Sequence, residues 1–221
     1  MAWILNIDTA VDKASVCLGR DGVCVAYAEN DVPTQQAAWL HPAIERAMRE
    51  AGVEWGVIEA IAVSNGPGSY TGLRIGLATA KGFCYALGKK LICLNTLQVM
   101  ASAVLPTDAD LICPMIDARR MEVYTALYDR EMQEVLPPQA MVLTKESFAD
   151  FLRHRSIVCT GNGAEKFGGI MSDSGNLLFK PSNINACNML KFSEKAFSAN
   201  NFSDIAYSEP FYLKDIFIKS V

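Results

Sequence analysis

The chain has 221 residues, a length that fits one large domain or two smaller lobes. It is 51% hydrophobic and 20% charged, as ordinary globular proteins are, and its formal net charge is −4. Because binding phosphates needs a basic surface, this charge argues against a protein that holds nucleic acid by itself. Seven cysteines without a CxxC pair predict reduced core thiols in a cytoplasmic protein. The N-terminal apolar run is too short for a signal peptide, and no apolar stretch is free enough of polar residues to predict a membrane span.

The first half of the chain alternates predicted strands and helices. Apolar runs predict strands at residues 3–8, 14–18, 23–29, 58–63 and 91–94, and helical periodicity predicts helices at residues 34–51, 71–87 and 96–104. Pro42 lies inside the first helix, where it predicts a kink or two helical pieces. Helices placed between core strands predict a sheet with parallel members.

A glycine loop joins the strand at residues 58–63 to the helix at residues 71–87. Gly66 and Gly68 flank Pro67, and this combination demands special backbone geometry. A strand, a glycine loop and a helix N-terminus hold phosphate in many proteins. The loop is therefore either an anion site or the hinge that sets the angle of the helix.

The helix that follows the loop carries a row of small residues. Gly72, Gly76 and Ala80 are spaced by four, so they form one strip of the helix with little side chain; we call it the small-residue row. Apolar or small residues on most sides predict two packing partners for this helix. The row packs either on this chain's own sheet or on another helix. Arg74 is the lone charge at the helix start, where the dipole disfavours cations, so it is expected to pair with an acid or reach a partner.

The second half begins after a polar stretch at residues 106–108, which predicts domains at 1–105 and 106–221. Strands are predicted at residues 111–116, 122–128 and 157–160, and helices at 145–154 and 186–199, with a break at Pro137-Pro138. A strand that ends in an acid occurs at Asp8 and again at Asp117, each followed by further strands. This repetition predicts an internal duplication.

The candidate chemistry of the sequence is sparse. His41 and His154 form no HxxxH pair, so neither is expected to bind a metal. Many phosphate-binding turns contain a glycine after a strand, so that backbone N–H groups can reach the phosphate, and no glycine directly follows Asp8 or Asp117. These acids either coordinate Mg²⁺ through water or satisfy backbone groups, and the second interpretation is favoured.

Two further features of the second half leave alternatives open. Arg119 and Arg120 are expected either to contact a nucleic acid or a nucleotide, or to form exposed ion pairs. The Gly161-Asn162-Gly163 turn could be a remnant of an adenosine-binding turn, although such a short pattern is weak.

Four segments together resemble the TsaB (YeaZ) family: residues 4–10, 66–76, 116–124 and 209–214, with Lys214 where that family usually has arginine. The resemblance implies an α/β fold of the two-lobed actin-like ATPase and sugar kinase type, with mixed central sheets in ribonuclease H-like lobes. It implies a non-catalytic subunit without metal or cofactor that binds TsaD and TsaE and reaches tRNA only through the complex. It also implies a homodimer through the same helices, and C-terminal residues that can return to the first lobe.

The resemblance favours a helix-bundle interface with a second protein. The residues expected there are Leu40, Ile44, Thr71, Gly72, Leu73, Arg74, Gly76, Leu77 and Ala80. The residues expected near a cleft or nucleotide are Asp8, Gly66, Gly68, Asp117, Arg119 and Arg120. The competing hypothesis from another class is a free-standing actin-fold ATPase or phosphotransferase.

Overall fold

The computed structural model describes residues 2–11, 13–30, 32, 35–171 and 175–214. Their contacts divide the chain into two compact units, the first within Met1–Val99 and Ile184–Pro210 and the second within Met100–Asn183 and Phe211–Val221. These units differ from the predicted ranges 1–105 and 106–221, because residues 184–210 pack with the first unit. There the N–H of Ala186 donates to Ser15 Oγ at 2.9 Å.

The described residues form ten strands and six α-helices. The strands are β1 (Trp3–Asp8), β2 (Ser15–Arg20), β3 (Val23–Glu29), β4 (Ile58–Gly66), β5 (Lys90–Asn95), β6 (Leu111–Asp117), β7 (Glu122–Tyr128), β8 (Glu134–Val142), β9 (Ile157–Thr160) and β10 (Leu177–Phe179). The helices are α1 (Gln36–Ala51), α2 (Tyr70–Leu87), α3 (Thr96–Ser102), α4 (Ala149–Leu152), α5 (Ala164–Ile170) and α6 (Leu190–Ser198). Short 3-10 turns lie at Trp55–Val57 and Ala186–Met189.

Each unit contains one five-stranded mixed sheet, and the two sheets share one topology. In the first sheet the order is β3-β2-β1-β4-β5; β3, β2 and β1 are antiparallel, and β4 and β5 add in parallel. The second sheet, read as β8-β7-β6-β9-β10, repeats this pattern strand for strand. The mixed α/β fold is confirmed, and the shared topology agrees with the predicted duplication.

The core of the first unit lies on both faces of its sheet. Helices α1 and α2 cover one face, while α6 and the 186–189 turn cover the other. β1 is buried from Ile4 to Asp8, and β4 lies beside it in the centre of the sheet. Strands buried on both faces read as continuous apolar runs, which is why both were recognisable in the sequence.

The helix ends follow local capping chemistry. Ser69 Oγ accepts the N–H of Gly72 at 3.3 Å, which satisfies one free donor at the start of α2. Gly88 ends this helix in the left-handed conformation, at φ 64°. Helix α1 runs from Gln36 to Ala51 as one α-helix, so Pro42 does not divide it into two pieces. Thr34, the predicted start of that helix, lies outside the described residues.

The second half differs from the sequence predictions at three places. Pro137 and Pro138 do not break the chain but lie within β8, at a register shift against β7. Proline has no N–H to donate to a neighbouring strand. Prolines are tolerated here because β8 is an edge strand, so one of its sides pairs with no strand of the sheet. The helix predicted over residues 145–154 is limited to α4, and the short strand β10 was not predicted.

Candidate functional site

The glycine loop is packed against the turn that follows β1. The N–H of Ser69 donates to the carbonyl of Ala10 at 2.7 Å. A Cβ atom on Gly68 would lie 2.2 Å from that same carbonyl oxygen, so only glycine fits this approach. Gly66 has φ 122°, and its N–H donates to Thr96 Oγ1 at 3.1 Å. The loop therefore packs the start of α2 against the turn after β1, which favours the hinge interpretation over an anion site.

The small-residue row faces the interior of the first unit. A Cβ on Gly72 would lie 2.0 Å from the carbonyl oxygen of Thr9, and one on Gly76 would lie 2.3 Å from Thr9 Oγ1. Thr9 Oγ1 in turn donates to the carbonyl of Gly72 at 2.7 Å. The expectation that this row faces a partner was wrong, because the turn after β1 occupies it.

Most of the predicted partner-binding residues are buried in the same way. Five apolar members belong to the core of the first unit, each no more than 4% exposed: Leu40, Ile44, Leu73, Leu77 and Ala80. Leu40, Ile44, Leu77 and Ala80 pack in the cluster between the two helices and the sheet. A partner at this surface could not reach any of the five, because all are buried. Of the nine predicted residues, Thr71 and Arg74 are exposed. The guanidinium of Arg74 lies 4.0 Å above the ring of Tyr70, a cation–π contact.

The outward side of α2 has a different row of small residues, Ala78, Gly82 and Ala86. These three residues line a groove together with Thr79 and Phe83 of α2 and His41 of α1. We call it the α1–α2 groove. Phe83 forms its wall and stacks on Trp55 at 4.6 Å between ring centroids. The sequence analysis missed this groove; the four-residue spacing of its small residues was the available signal.

Asp8 is a buried carboxyl group and not an exposed ligand. Its Oδ1 accepts the Ser64 hydroxyl at 2.5 Å and the N–H of Ala10 at 3.0 Å, while Oδ2 has no hydrogen-bond partner among the described residues. Burial raises the pKa of Asp8, and the bonds from Ser64 and Ala10 oppose that rise only in part. Asp8 thus satisfies a backbone group, as favoured above.

The turn after β1 does not fit a phosphate group. Thr9, Ala10 and Val11 are buried at this turn, and the Ala10 carbonyl faces the N-terminal end of α2. A carbonyl oxygen repels phosphate where a phosphate-binding turn would present N–H donors.

In the second unit, the surroundings of Asp117 lower the pKa of its carboxyl group, in contrast to those of Asp8. Its Oδ1 accepts Lys166 Nζ and the N–H of Arg119, each at 2.5 Å. The bond from Lys166 is the largest of the causes that hold the pKa of Asp117 below its ordinary range. Arg119 and Arg120 follow in left-handed backbone conformations, and both are exposed. The choice between a tRNA or nucleotide contact and plain ion pairs stays a prediction.

The Gly161–Gly163 turn packs on β6 in the same unit. Asn162 Oδ1 accepts the N–H of Asp117 at 2.9 Å, and a Cβ on Gly161 would lie 2.4 Å from the carbonyl oxygen of Met115. The glycines therefore serve a close backbone approach, which is a structural account of this short pattern.

The two histidines lie in different units. His41 is exposed on α1 at the groove, and His154 is exposed just after α4, in the other unit. Among the described residues, the cluster of potential metal ligands consists of cysteines. No helix within the described ranges has the length and apolar character needed to cross a bilayer.

Comparison with known proteins connects this fold to one family. A family model described as TsaD, tRNA N6-adenosine threonylcarbamoyltransferase, matches residues 32–217. The tRNA threonylcarbamoyladenosine biosynthesis protein TsaB of Escherichia coli (strain K12) is 30% identical over 220 residues, covering 96% of this chain and 94% of that protein.

Solved structures agree on the fold. A Pseudomonas aeruginosa structure, described as an uncharacterized protein with similarity to peptidase YEAZ, has a TM-score of 0.85 at 23% identity, over 97% of this chain and 100% of that one. The ADPNP-bound activator of 2-hydroxyisocaproyl-CoA dehydratase from Clostridium difficile has a TM-score of 0.52 at 10% identity, over 89% and 95% of the two chains. The chain therefore shares its fold with both structures, which agrees with the predicted α/β fold with mixed sheets. Together with the family-model match, the similarity to the Escherichia coli protein over nearly its whole length shows that this chain belongs to the TsaB family.

Proposed function

We propose that this chain is a non-catalytic scaffold subunit in the bacterial biosynthesis of N6-threonylcarbamoyladenosine in tRNA. It binds TsaD through the α1–α2 groove, works together with TsaE, and acts in the cytoplasm. The α1–α2 groove carries the proposal, because it is an exposed apolar surface on a member of the TsaB family. The chain reaches tRNA only through the complex, since its net charge of −4 offers little attraction for phosphates.

The groove has the features that a docking helix requires. Ala78, Gly82 and Ala86 recur every four residues, so the backbone of a second helix can approach closely. A Cβ on Gly82 would meet no atom within 4 Å, which means that the space above it is open. Tyr85, 84% exposed, and the stacked Arg74 belong to the residue types that are enriched at binding hot spots.

The absence of catalysis is supported by the candidate sites. A TsaD-like metal site needs two histidines one helical turn apart, and the two histidines of this chain lie far apart in sequence. Asp8 is buried with a raised pKa, and the turn after it opposes phosphate. These features disfavour the competing ATPase or phosphotransferase.

The decisive experiment reconstitutes tRNA modification with the cognate TsaD and TsaE, with and without this chain. We expect modification to depend on the chain, and Gly82→Trp to lose TsaD binding and modification because the indole fills the groove. Gly169→Trp is the matched control, since Gly169 also lies in a helix, is exposed and has open space around its Cβ, but belongs to the other unit.

Each part of the proposal has its own contrary outcome. Modification that proceeds equally well without the chain would refute the scaffold role. A folded Gly82→Trp variant that still binds TsaD would move the interface away from the groove. Micromolar binding of ATP and Mg²⁺ with turnover, measured by calorimetry and phosphate release, would favour the ATPase. If a second copy occupies the groove, sedimentation will show a dimer that Gly82→Trp dissociates.

A further inference from the structure

Three cysteines from separate segments of the first unit converge on one point. Cys17 lies in β2, Cys24 in β3 and Cys187 in the 186–189 turn. Their Sγ atoms all lie within 4.8 Å of one another, and those of Cys24 and Cys187 are 3.6 Å apart. Cys17 is buried, Cys187 is half-buried and Cys24 is exposed, so the cluster extends from the core to the surface. We call it the Cys17–Cys24–Cys187 cluster.

The strand pairing places two of these thiols on one face of the sheet. β2 and β3 pair with a register shift next to Gly19, so that Cys24 lies opposite Gly19. Gly19 and Cys17 are two residues apart, and they therefore point to the same face. A Cβ on Gly19 would lie 2.1 Å from a methyl carbon of Leu190, which identifies this as the face that the 186–190 segment covers.

The third thiol is held in place by fixed backbone contacts. The N–H of Ala186 donates to Ser15 Oγ at 2.9 Å, which ties the turn to β2. The side chain of Asn185 accepts the N–H of Cys187 at 2.9 Å, and the side chain of Asn188 accepts the N–H of Asn185 in return. The three sulfur atoms are thus positioned by the fold, which reduces the ordering cost of binding a shared ligand.

The spacing of the three sulfur atoms suits a bound thiophilic cation better than a disulfide or simple apolar packing. Two sulfurs bound 2.3 Å from a tetrahedral zinc ion lie about 3.8 Å apart, close to the spacing observed. A disulfide would need one S–S distance of about 2.05 Å and would leave the third thiol unused. Packing of thiols as small apolar groups explains Cys17, but it does not explain an exposed Cys24.

We propose that the Cys17–Cys24–Cys187 cluster binds one Zn²⁺ ion through three thiolates, with a solvent molecule as the fourth ligand on the exposed side of Cys24. Zinc favours sulfur ligands and a four-coordinate site, and the solvent completes that number. The nearby Tyr27 hydroxyl already donates to Glu29 at 2.6 Å, so it is not assigned as a ligand. The ion links two strands to the 186–189 turn and stabilises the return of residues 184–210 to the first unit.

The test uses the reduced, metal-free full chain. Co²⁺ serves as the spectroscopic probe, because thiolate ligation gives a sulfur-to-cobalt charge-transfer band and tetrahedral ligand-field bands. We expect one equivalent to bind, Zn²⁺ to displace it, and Zn²⁺ to raise the thermal midpoint. Cys24→Ser and Cys187→Ser should each lose the charge-transfer band. Cys93→Ser should retain it, since Cys93 is a half-buried thiol of the same unit outside the cluster.

The contrary results are equally clear. A reduced wild-type chain that binds no more Co²⁺ or Zn²⁺ than Cys24→Ser and Cys187→Ser would overturn the proposal, as would equal loss in Cys93→Ser. Circular dichroism of each serine variant checks that the fold is retained. If the reduced chain takes up no metal but loses two hydrogens in air, and peptide mapping finds a Cys24–Cys187 disulfide, the cluster is a redox pair instead.

Discussion

Asp8 and Asp117 end equivalent strands of the two sheets, yet their surroundings act on the carboxyl groups in opposite directions. Burial raises the pKa of Asp8, whereas Lys166 lowers that of Asp117. The buried site therefore disfavours the charged form of Asp8, whereas the ion pair at the surface favours the charged form of Asp117. Sequence reasoning recognised both acids at strand ends, but it could not assign their charge, because burial depends on how closely α2 approaches β1.

Asp8→Asn should remove a pH-dependent loss of stability. The folded pKa of Asp8 lies above its unfolded value of 3.8, so the folded wild type binds more protons and its free energy of unfolding falls as pH rises toward the folded pKa. Asn keeps an acceptor for Ser64 and Ala10 without titrating. In urea unfolding at pH values above 3.8, the variant should gain on the wild type as pH rises toward the folded pKa of Asp8. A difference that stays constant with pH would show that Asp8 titrates normally.

Lys166→Met should shift the titration of Asp117 upward, toward its ordinary pKa. The stability that this pair contributes is present at neutral pH and is lost as pH falls through the lowered pKa of Asp117. Carboxyl-carbon NMR should follow the shift directly, and the stability gap between wild type and variant should close in acid. Lys145→Met, in the same unit, is the control and should leave the Asp117 titration unchanged; an unshifted curve in Lys166→Met would contradict the assignment.

Helix α2 shows which part of a helix sequence can be interpreted in advance. Its bounds were predicted to within one residue, because the apolar periodicity, the Ser69 cap and the Gly88 stop are local signals. Its orientation was not, since α2 carries two rows of small residues and periodicity alone does not say which row faces the sheet. The close approach of Thr9 decides this, and that contact joins residues far apart in the sequence.

Alanine at Gly72 and at Gly82 should change stability in opposite directions. A Cβ on Gly72 meets the backbone of Thr9, so Gly72→Ala should destabilise the chain by about 1–3 kcal/mol through overpacking. Gly82 has open space, so Gly82→Ala should stabilise it by about 0.5–1 kcal/mol through better helix propensity. Denaturant unfolding with unchanged m-values measures both. A neutral Gly72→Ala would mean that α2 is free to shift away from β1.

The whole chain repeats one sheet topology, and the first copy was the easier one to predict. Its buried strands are long apolar runs, whereas the second copy contains the short β10, the four-residue α4 and a proline-containing β8. Composition alone did not predict which residues pack with the first unit, because it marks a polar stretch but not a distant contact such as Ala186 with Ser15. Only the family resemblance implied that C-terminal residues can return to the first lobe. Most of the predicted partner-binding residues are buried for the same reason. Packing decides which faces of α1 and α2 are exposed, and a sequence pattern does not show this.

The two prolines of β8 affect how copies of this protein can aggregate. A free strand edge presents N–H and carbonyl groups that can extend the sheet into a neighbouring molecule. Pro137 and Pro138 remove two N–H groups in succession, at a point where the register is already irregular. This edge is thereby protected against intermolecular β-pairing, the route to cross-β fibrils, even when the chain is concentrated.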